Sequence, residues 1–114
     1  MASDADLLRS TLDLLILKSL TWGPRHGYGV AEWIYQSTGE HLLIEEGTLY
    51  PALHRLEAKD WIEPEWGVSE NNRRAKFYRL AAKGRGALRT ETTTWERYVA
   101  AVARALAQTS PVPA

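Results

Sequence analysis

The segment from Gly47 to Glu57, GTLYPALHRLE, constrains the fold more than any other part of the chain. Its apolar residues recur with the spacing i, i+3, i+4, i+7, which is typical of a helix that buries one stripe: Leu49, Ala52, Leu53 and Leu56. The opposite face has the hydrogen-bonding character of a surface that meets a partner, and it consists of Thr48, Tyr50, Pro51, His54 and Arg55. We therefore expect a helix over about residues 46–59, with Pro51 tolerated in or near its first turn.

Two more helices and a hairpin are predicted around this segment. A helix over about residues 6–20 is apolar on nearly all sides, and Trp22-Gly23-Pro24 ends it. A second helix is expected over residues 27–38, followed by a small strand over residues 41–44. The aromatic runs 61–66 and 75–80, joined by a polar loop, predict a hairpin. This order predicts a mainly α fold with a small β-hairpin, a winged helix-turn-helix over residues 1–81.

The last helix, over residues 82–108, is predicted to form a dimer. Its apolar positions are spaced 4, 3, 4, 3, 4 and fall at Leu88, Thr92, Trp95, Val99, Val102 and Leu106. Together with the first helix, represented by Leu12 and Ile16, they predict a homodimer packed across a two-fold axis. The alternative is a last helix that folds back on its own domain. Residues 109–114 are expected to be a frayed tail.

Charge is balanced over the whole chain but unevenly distributed along it. Fourteen basic residues match fourteen acidic ones. The stretch from Arg73 to Arg89 nevertheless contains seven basic residues and no acidic residue, and it begins in the hairpin loop. A solvated loop is one interpretation of this stretch; a surface for nucleic acid is the other.

Double-stranded DNA is the partner that these patterns predict. Thr48, Tyr50, Pro51 and His54 would lie near bases and phosphates, while Arg55 could bind guanine with two hydrogen bonds or pair with Glu57. In the hairpin, Arg73, Arg74 and Lys76 would contact a minor groove or flanking phosphates. Tyr28 either joins a phosphate site at the start of the second helix or lies in the core, with His26 as a cap. Glu45 and Glu46 would have to turn away from the DNA.

Other functional classes find little support. The chain has no cysteine, the three histidines lack metal-ligand spacing, and no nucleophile or phosphate-loop motif occurs, so neither an enzyme nor a cofactor or metal site is expected. No run is long enough to span a membrane, and no signal peptide is apparent, which favours the cytoplasm. Trp95, in the middle of the dimer seam, is either a packed core residue or the wall of a site for a planar apolar ligand.

Three segments together resemble the PadR family of bacterial transcriptional regulators: residues 47–57, His26-Gly27-Tyr28, and the run YRLAAKG over residues 78–84. The resemblance covers about residues 9–108. It implies a homodimeric repressor on a pseudo-palindromic operator, usually released by a small molecule. The single C-terminal helix resembles that of a smaller subgroup, in which a central aromatic residue binds flat hydrophobic or phenolic compounds; here that residue would be Trp95. Asp60-Trp61 replaces the more usual Gly-Leu, and Asp tolerates the left-handed backbone that this turn needs.

The function predicted from the sequence is therefore a ligand-responsive, DNA-binding repressor with half-sites about 10 bp, or a multiple of 10 bp, apart. The competing hypothesis is a winged-helix module that binds another protein, favoured by the zero net charge and by Glu45 and Glu46.

Overall fold

A computed structural model describes the backbone of residues 4–111 and the side chains of residues 11–111. Within that part of the chain there are four helices and a three-stranded antiparallel sheet. The helices are α1 (Asp4–Ser19), α2 (Gly27–Ser37), α3 (Glu46–Ala58) and α4 (Ala82–Leu106), and the strands are β1 (Arg25–His26), β2 (Ile62–Val68) and β3 (Arg74–Leu80). The predicted fold class is confirmed, and each predicted helix is present with ends shifted by no more than two residues.

The core lies where α1, α2 and α3 meet the base of the hairpin. The apolar stripe predicted for α3 is buried as expected, with Leu49, Ala52, Leu53 and Leu56 at most 2% exposed. Ile16 of α1 and Ile34 of α2 are completely buried against it. Burial of several branched side chains, each contributing about 1.5–3 kcal/mol, fixes α3 in place and leaves only its other face for a partner.

The small sheet differs from the prediction in one strand. β3 lies in the middle of the order β1-β3-β2, and the two residues of β1 pair with Phe77 and Tyr78. The strand expected over residues 41–44 was wrong, because this stretch pairs with no other strand. Its apolar residues Leu42 and Ile44 pack on the core from an irregular loop instead.

Three described residues other than glycine adopt left-handed backbone, and two of them, Asp60 and Asn72, lie in the turn into the hairpin and the turn at its tip. Asp60, in the middle of the α3 to β2 connection, has a φ of 60°, so the tolerance expected of Asp at this turn is confirmed. Asn72, at the tip of the hairpin, has a φ of 57°. Both residue types accept this conformation better than most others, so the turn into the hairpin and the turn at its tip form without glycine at these positions.

The helix α4 is held to the core at its start and extends away from it. The amide of Ala81 donates to the carbonyl of Trp61 at 3.0 Å, and Gly84 lies directly against the same backbone. A Cβ on Gly84 would stand 2.8 Å from the carbonyl carbon of Trp61. The helix is 25 residues, or about 37 Å, long, and the molecule extends 62 Å along its longest axis. The expected tail is non-helical as far as Pro111, and residues 112–114 lie outside the described residues.

Three residues assigned to a dimer interface belong, wholly or in part, to the core. Leu12 and Ile16 are 2% and 0% exposed within one protomer, so their assignment to the interface was wrong: a side chain already buried by its own chain has no surface left for a second one. Leu88 is half-buried and packs on the same core. The side chains of residues 4–10, which include part of the predicted all-round apolar face, lie outside the described ones.

Candidate nucleic-acid interface

The start of α2 presents one tyrosine to solvent and uses one histidine as a cap. The Nδ1 of His26 accepts a hydrogen bond from the amide of Gly29 at 3.0 Å, so His26 is the N-cap. Tyr28 is 66% exposed, which excludes it from the core. Its hydroxyl donates to Oε1 of Glu46 at 2.7 Å, and this hydrogen bond raises the pKa of the phenol. Tyr28 therefore stays a neutral hydrogen-bonding group on the surface.

Tyr50 of α3 packs against α2 at the smallest residue available. A Cβ on Gly27 would lie 2.8 Å from the Tyr50 hydroxyl and 3.1 Å from its ring, so the ring rests over the glycine. Tyr50 is consequently half-buried, whereas its neighbour Thr48 is exposed. Because part of the Tyr50 side chain is covered by α2, this residue positions α2 and α3 more than it projects from them.

The outermost stripe of α3 consists of residues spaced by helical turns and opposite to the buried leucines: Gly47, Pro51, His54 and Ala58, all exposed. Pro51 is the sixth residue of the helix, so it lies in the second turn and not in the first. It provides no amide hydrogen for the carbonyl of Gly47, which is itself an exposed residue. The stripe thus combines a bare carbonyl, a proline ring and one imidazole, and His54 is its only side chain with hydrogen-bonding groups.

Arg55 is bound to α1. Its Nη2 donates to Oδ1 of Asp13, and its Nε donates to Oδ2 at 3.4 Å. The sequence-based alternative that Arg55 pairs with Glu57 is therefore wrong. Its partner is Asp13 of α1, which lies 42 positions earlier in the chain. The guanidinium is directed to α1, so the expectation that it reaches a guanine has no support in this arrangement.

Lys76 links the hairpin to α3. Its Nζ lies 3.0 Å from Oε1 of Glu57 and 5.2 Å from the centre of the Tyr78 ring. The hydrogen bond to Glu57 raises the pKa of Lys76, while burial raises the pKa of the Tyr78 phenol. Lys76 therefore carries a partnered charge, and its position fixes the hairpin relative to α3.

The two arginines at the hairpin tip have no acidic partner among the described residues, in contrast to Arg79 farther down. Arg74 is exposed and lies 4.5 Å above the ring of Trp66, and Arg73 is exposed next to the turn that Ser69 closes. Arg79, by comparison, donates to Glu63 at 2.7 Å. The free positive charge of the hairpin is thus concentrated at its tip, where Glu70 is the one nearby acid in the loop.

A cleft brings α2, α3 and the hairpin together. Its volume is about 390 Å³, and it is lined by His26, Gly27, Tyr28, Tyr50, Ser69, Ala75, Lys76 and Tyr78. Residues from three separate elements, with hydroxyl, imidazole and ammonium groups, therefore surround one open space on the side where the hairpin meets the helices. Such a surface can contact an extended polyanion at several points at once.

The distal part of α4 carries a second feature, an exposed apolar face. Trp95, Val99 and Val102 are 42%, 41% and 39% exposed, and Leu106 is 81% exposed. Sequence reasoning missed Tyr98, which is 64% exposed and whose ring centre lies 6.4 Å from that of Trp95. It escaped because it lies outside the seam spacing, on the flank of the helix.

Next to this face lies a second cavity of about 390 Å³, which we call the α1–α4 cavity. It is bounded by α1, the end of α3 and α4, and its lining residues are Thr11, Asp13, Leu14, Lys59, Trp61, Glu91, Thr94, Trp95 and Tyr98. Trp95 is thus neither fully packed nor free in solvent.

Neither a metal site nor a membrane span is present in the described part of the chain. The described side chains, those of residues 11–111, include no group of three or more arranged to bind a metal ion. In the same range, no helix has both the length and the apolar composition needed to cross a membrane.

Comparisons with known proteins agree with this geometry. The family model described as "Transcriptional regulator PadR-like family" matches residues 16–90. Transcriptional regulator Rv3488 of Mycobacterium tuberculosis is 36% identical over 81 residues, which are 70% of this chain and 71% of that protein. A transcriptional regulator from Clostridium thermocellum matches with a TM-score of 0.79 and 30% identity, covering 87% of this chain and 96% of its own. A PadR family regulator from Eggerthella lenta has the same TM-score and 29% identity, covering 93% and 90%.

The family model spans the end of α1, all of α2 and α3, the hairpin and the start of α4, and the family is one of transcriptional regulators and not of enzymes. The chain belongs to the PadR-like family of transcriptional regulators.

Proposed function

We propose that the protein is a homodimeric, ligand-responsive repressor that binds a pseudo-palindromic operator in the cytoplasm. The observation that carries the DNA-binding part is the cleft in which Tyr28, Tyr50 and Ser69 surround one space, so that the helices and the hairpin present a single surface. On that surface, α3 enters a major groove with Thr48, Pro51 and His54, and the hairpin tip follows the flanking DNA.

Phosphate contacts supply most of the affinity in this proposal. Arg73 and Arg74 have charges that no acid of the described chain neutralises, whereas Arg55, Lys76 and Arg79 are all paired. Each phosphate that a cation neutralises releases counterions, which makes binding weaken as salt rises. The hairpin tip therefore contributes affinity. The helix α3 fixes the position of the protein along the DNA and fits the shape of the major groove.

The dimer rests on the distal half of α4. Val99, Val102 and Leu106 follow the spacing of a helical seam and remain accessible in one protomer, as does the ring of Trp95. Covering this face with a second copy would bury apolar surface that is otherwise in water. The two-fold axis would then place two α3 helices at half-sites about 10 bp, or a multiple of 10 bp, apart.

The effector is a planar hydrophobic or phenolic molecule that binds in the α1–α4 cavity. Trp61, Trp95 and Tyr98 supply three aromatic rings there, which suit a flat ligand. Titration with planar aromatic compounds, followed by tryptophan fluorescence, tests this in the wild type and in Trp95→Ala. A wild-type response that Trp95→Ala retains unchanged would contradict the assignment.

DNA binding is tested by selecting duplexes from a randomised library with the full-length protein and measuring affinity by fluorescence anisotropy. The variant Arg73→Ala with Arg74→Ala should reduce affinity and lower the slope of log Kd against log salt by about 3.6, because the two hairpin tips of a dimer lose four cations together. The matched control is Arg97→Ala with Arg104→Ala, which removes the same charge from the side of α4 opposite the seam. Equal losses in both variants would indicate a net-charge effect and no role for the hairpin tip.

A protein-binding module is the second candidate, and one observation favours it. Glu45 and Glu46 stay exposed at the start of α3, where their negative charge opposes DNA. This candidate predicts that no duplex is enriched even at low salt and that partner binding is insensitive to salt.

A further inference from the structure

Arg55 and Asp13 join α3 to α1 by an ion pair with two contacts. Both oxygens of one carboxylate accept from a single guanidinium, which fixes its direction as well as its distance. The two side chains are 47% and 29% exposed, so the pair can open without disturbing the core beneath it. This contact is therefore a reversible tie between α1 and α3.

Asp13 also faces the α1–α4 cavity. It lines that space together with Glu91 and Trp95 of α4, whereas Arg55 is not among the lining residues. The end of α3 reaches the same space through Lys59, whose Nζ lies 4.5 Å from the centre of the Trp61 ring. The carboxylate of Asp13 thus contacts both the ligand site and, through Arg55, the helix α3 that is proposed to enter the DNA.

We propose that Arg55 positions α3 through Asp13 and does not read a base, and that a ligand in the α1–α4 cavity weakens operator binding by competing with Arg55 for Asp13. This role deepens the proposed function, and it rests on the DNA binding and the ligand site described there. It also assigns the class of ligand that acts most strongly, because the space between α1 and α4 combines acidic and aromatic groups.

An aromatic cation fits that combination best. Two carboxylates, those of Asp13 and Glu91, outnumber the one ammonium group in the lining, that of Lys59. The rings of Trp95 and Tyr98 attract positive charge as well. A cation bound at Asp13 leaves Arg55 without its partner, so that α3 is no longer fixed to α1. A neutral ring of the same shape fills the space and leaves the ion pair intact.

Variants of the full-length protein can show whether Arg55 positions α3 or contacts a base of the DNA. The DNA is a duplex that the wild type selects from a randomised library, and the variants are Asp13→Asn, Arg55→Gln and the two combined. For a positioning role, each single change weakens binding about fivefold and the double change is no worse, since all three remove the same contact. The salt slope stays at the wild-type value because no phosphate contact is lost.

The opposite role gives a different pattern. If Arg55 bound a base, Asp13→Asn would free it, and the affinity of that variant would equal or exceed that of the wild type. The reversed pair, Asp13→Arg with Arg55→Asp, provides the second test. It should restore affinity toward the wild-type value if the tie is what matters, and it cannot restore a lost base contact.

The ligand part uses two probes of similar shape, 1-methylquinolinium, a permanent cation, and quinoline, measured above pH 7, where quinoline is neutral. The cation should lower wild-type operator affinity more than quinoline does, and Asp13→Asn should abolish this difference between the two compounds. Equal effects of the two compounds would overturn the competition for Asp13. A wild type that selects no duplex overturns the proposed function and this proposal with it, whereas equal binding of a selected duplex by all variants overturns this proposal alone.

Discussion

The two ends of this molecule differ in how completely one chain satisfies its own side chains. At the end formed by α2, α3 and the hairpin, the charged groups Arg55, Lys76 and Arg79 each have an acidic partner, and Tyr28 has Glu46. At the distal end of α4, the apolar residues Val99, Val102 and Leu106 remain exposed. Apart from Arg73 and Arg74 at the hairpin tip, the charged groups of the first end are paired within one protomer, whereas the apolar groups of the second end are left uncovered.

The end that faces DNA is thus organised before it binds, whereas the distal end of α4 is completed only when a second protomer covers it. A surface whose polar groups are already held in place loses little conformational entropy when it binds a rigid duplex. An exposed apolar face has the opposite requirement, since it is stable in water only when covered. The DNA-facing end can therefore be altered one contact at a time, while the distal end should respond as a unit.

The largest effect should come from charge placed on the apolar face of α4. We expect Val99→Asp with Val102→Asp to give a monomer by light scattering and to weaken operator binding at least about 100-fold, because a dimer binds two half-sites together. The core contains neither residue, so the monomer should keep its helical circular dichroism. Thr93→Asp with Ala101→Asp, on the opposite side of α4, is the matched control and should remain dimeric. If the double variant of the two valines stayed dimeric, another surface would have to associate.

The junction between the two ends should be the next most sensitive point. In Gly84→Ala the new Cβ collides with the backbone of Trp61, which we expect to lower the free energy of unfolding by about 1–3 kcal/mol, as overpacking does. Gly86→Ala, in the same helix, has only the Arg89 guanidinium at 3.9 Å and should instead gain about 0.5–1 kcal/mol. Urea unfolding of both variants measures the difference. Equal changes would mean that α4 does not need its close approach to β2.

The smallest effect should be a gain, at the end that one chain completes. Glu46→Gln removes a negative charge from the start of α3 and leaves an amide oxygen for the Tyr28 hydroxyl. If this surface faces DNA, operator affinity should rise about twofold to fivefold, with the largest gain at low salt. Glu32→Gln on α2, also exposed, is the control for net charge and should have a smaller effect. An unchanged or weaker affinity for Glu46→Gln would place the DNA elsewhere.

Local patterns were sufficient to predict the helices, the hairpin and the buried stripe of α3, because apolar spacing and turn residues are read within a few positions of the chain. They were insufficient where structure depends on distant residues. β1 exists because β3 offers it an edge, and the stretch 41–44 has no such edge despite its more apolar, more strand-like composition. Strand pairing is a property of the partner as much as of the segment itself.

The same limit applies to the candidate site. The buried and outward faces of α3 could be predicted from the sequence, but neither the pairing of Arg55 with Asp13 nor that of Lys76 with Glu57 is visible from local spacing. The exposed stripe of Gly47, Pro51, His54 and Ala58 follows directly from the burial of Leu49 and Leu53 on the other side. Two of the outward residues of α3 differ from the others because they contact neighbouring helices. Tyr50 packs on α2, and Arg55 pairs with α1.

The contact of Gly84 with the Trp61 backbone also fixes the angle at which α4 leaves the core. A helix about 37 Å long that pivots by about 5° at its base moves its far end by about 3 Å, close to the rise of one base pair. The absence of a side chain at one position of α4 therefore determines how accurately two protomers can be spaced. In the proposed dimer, the close contact at Gly84 therefore helps to fix the distance between the two α3 helices, and with it the spacing of the half-sites.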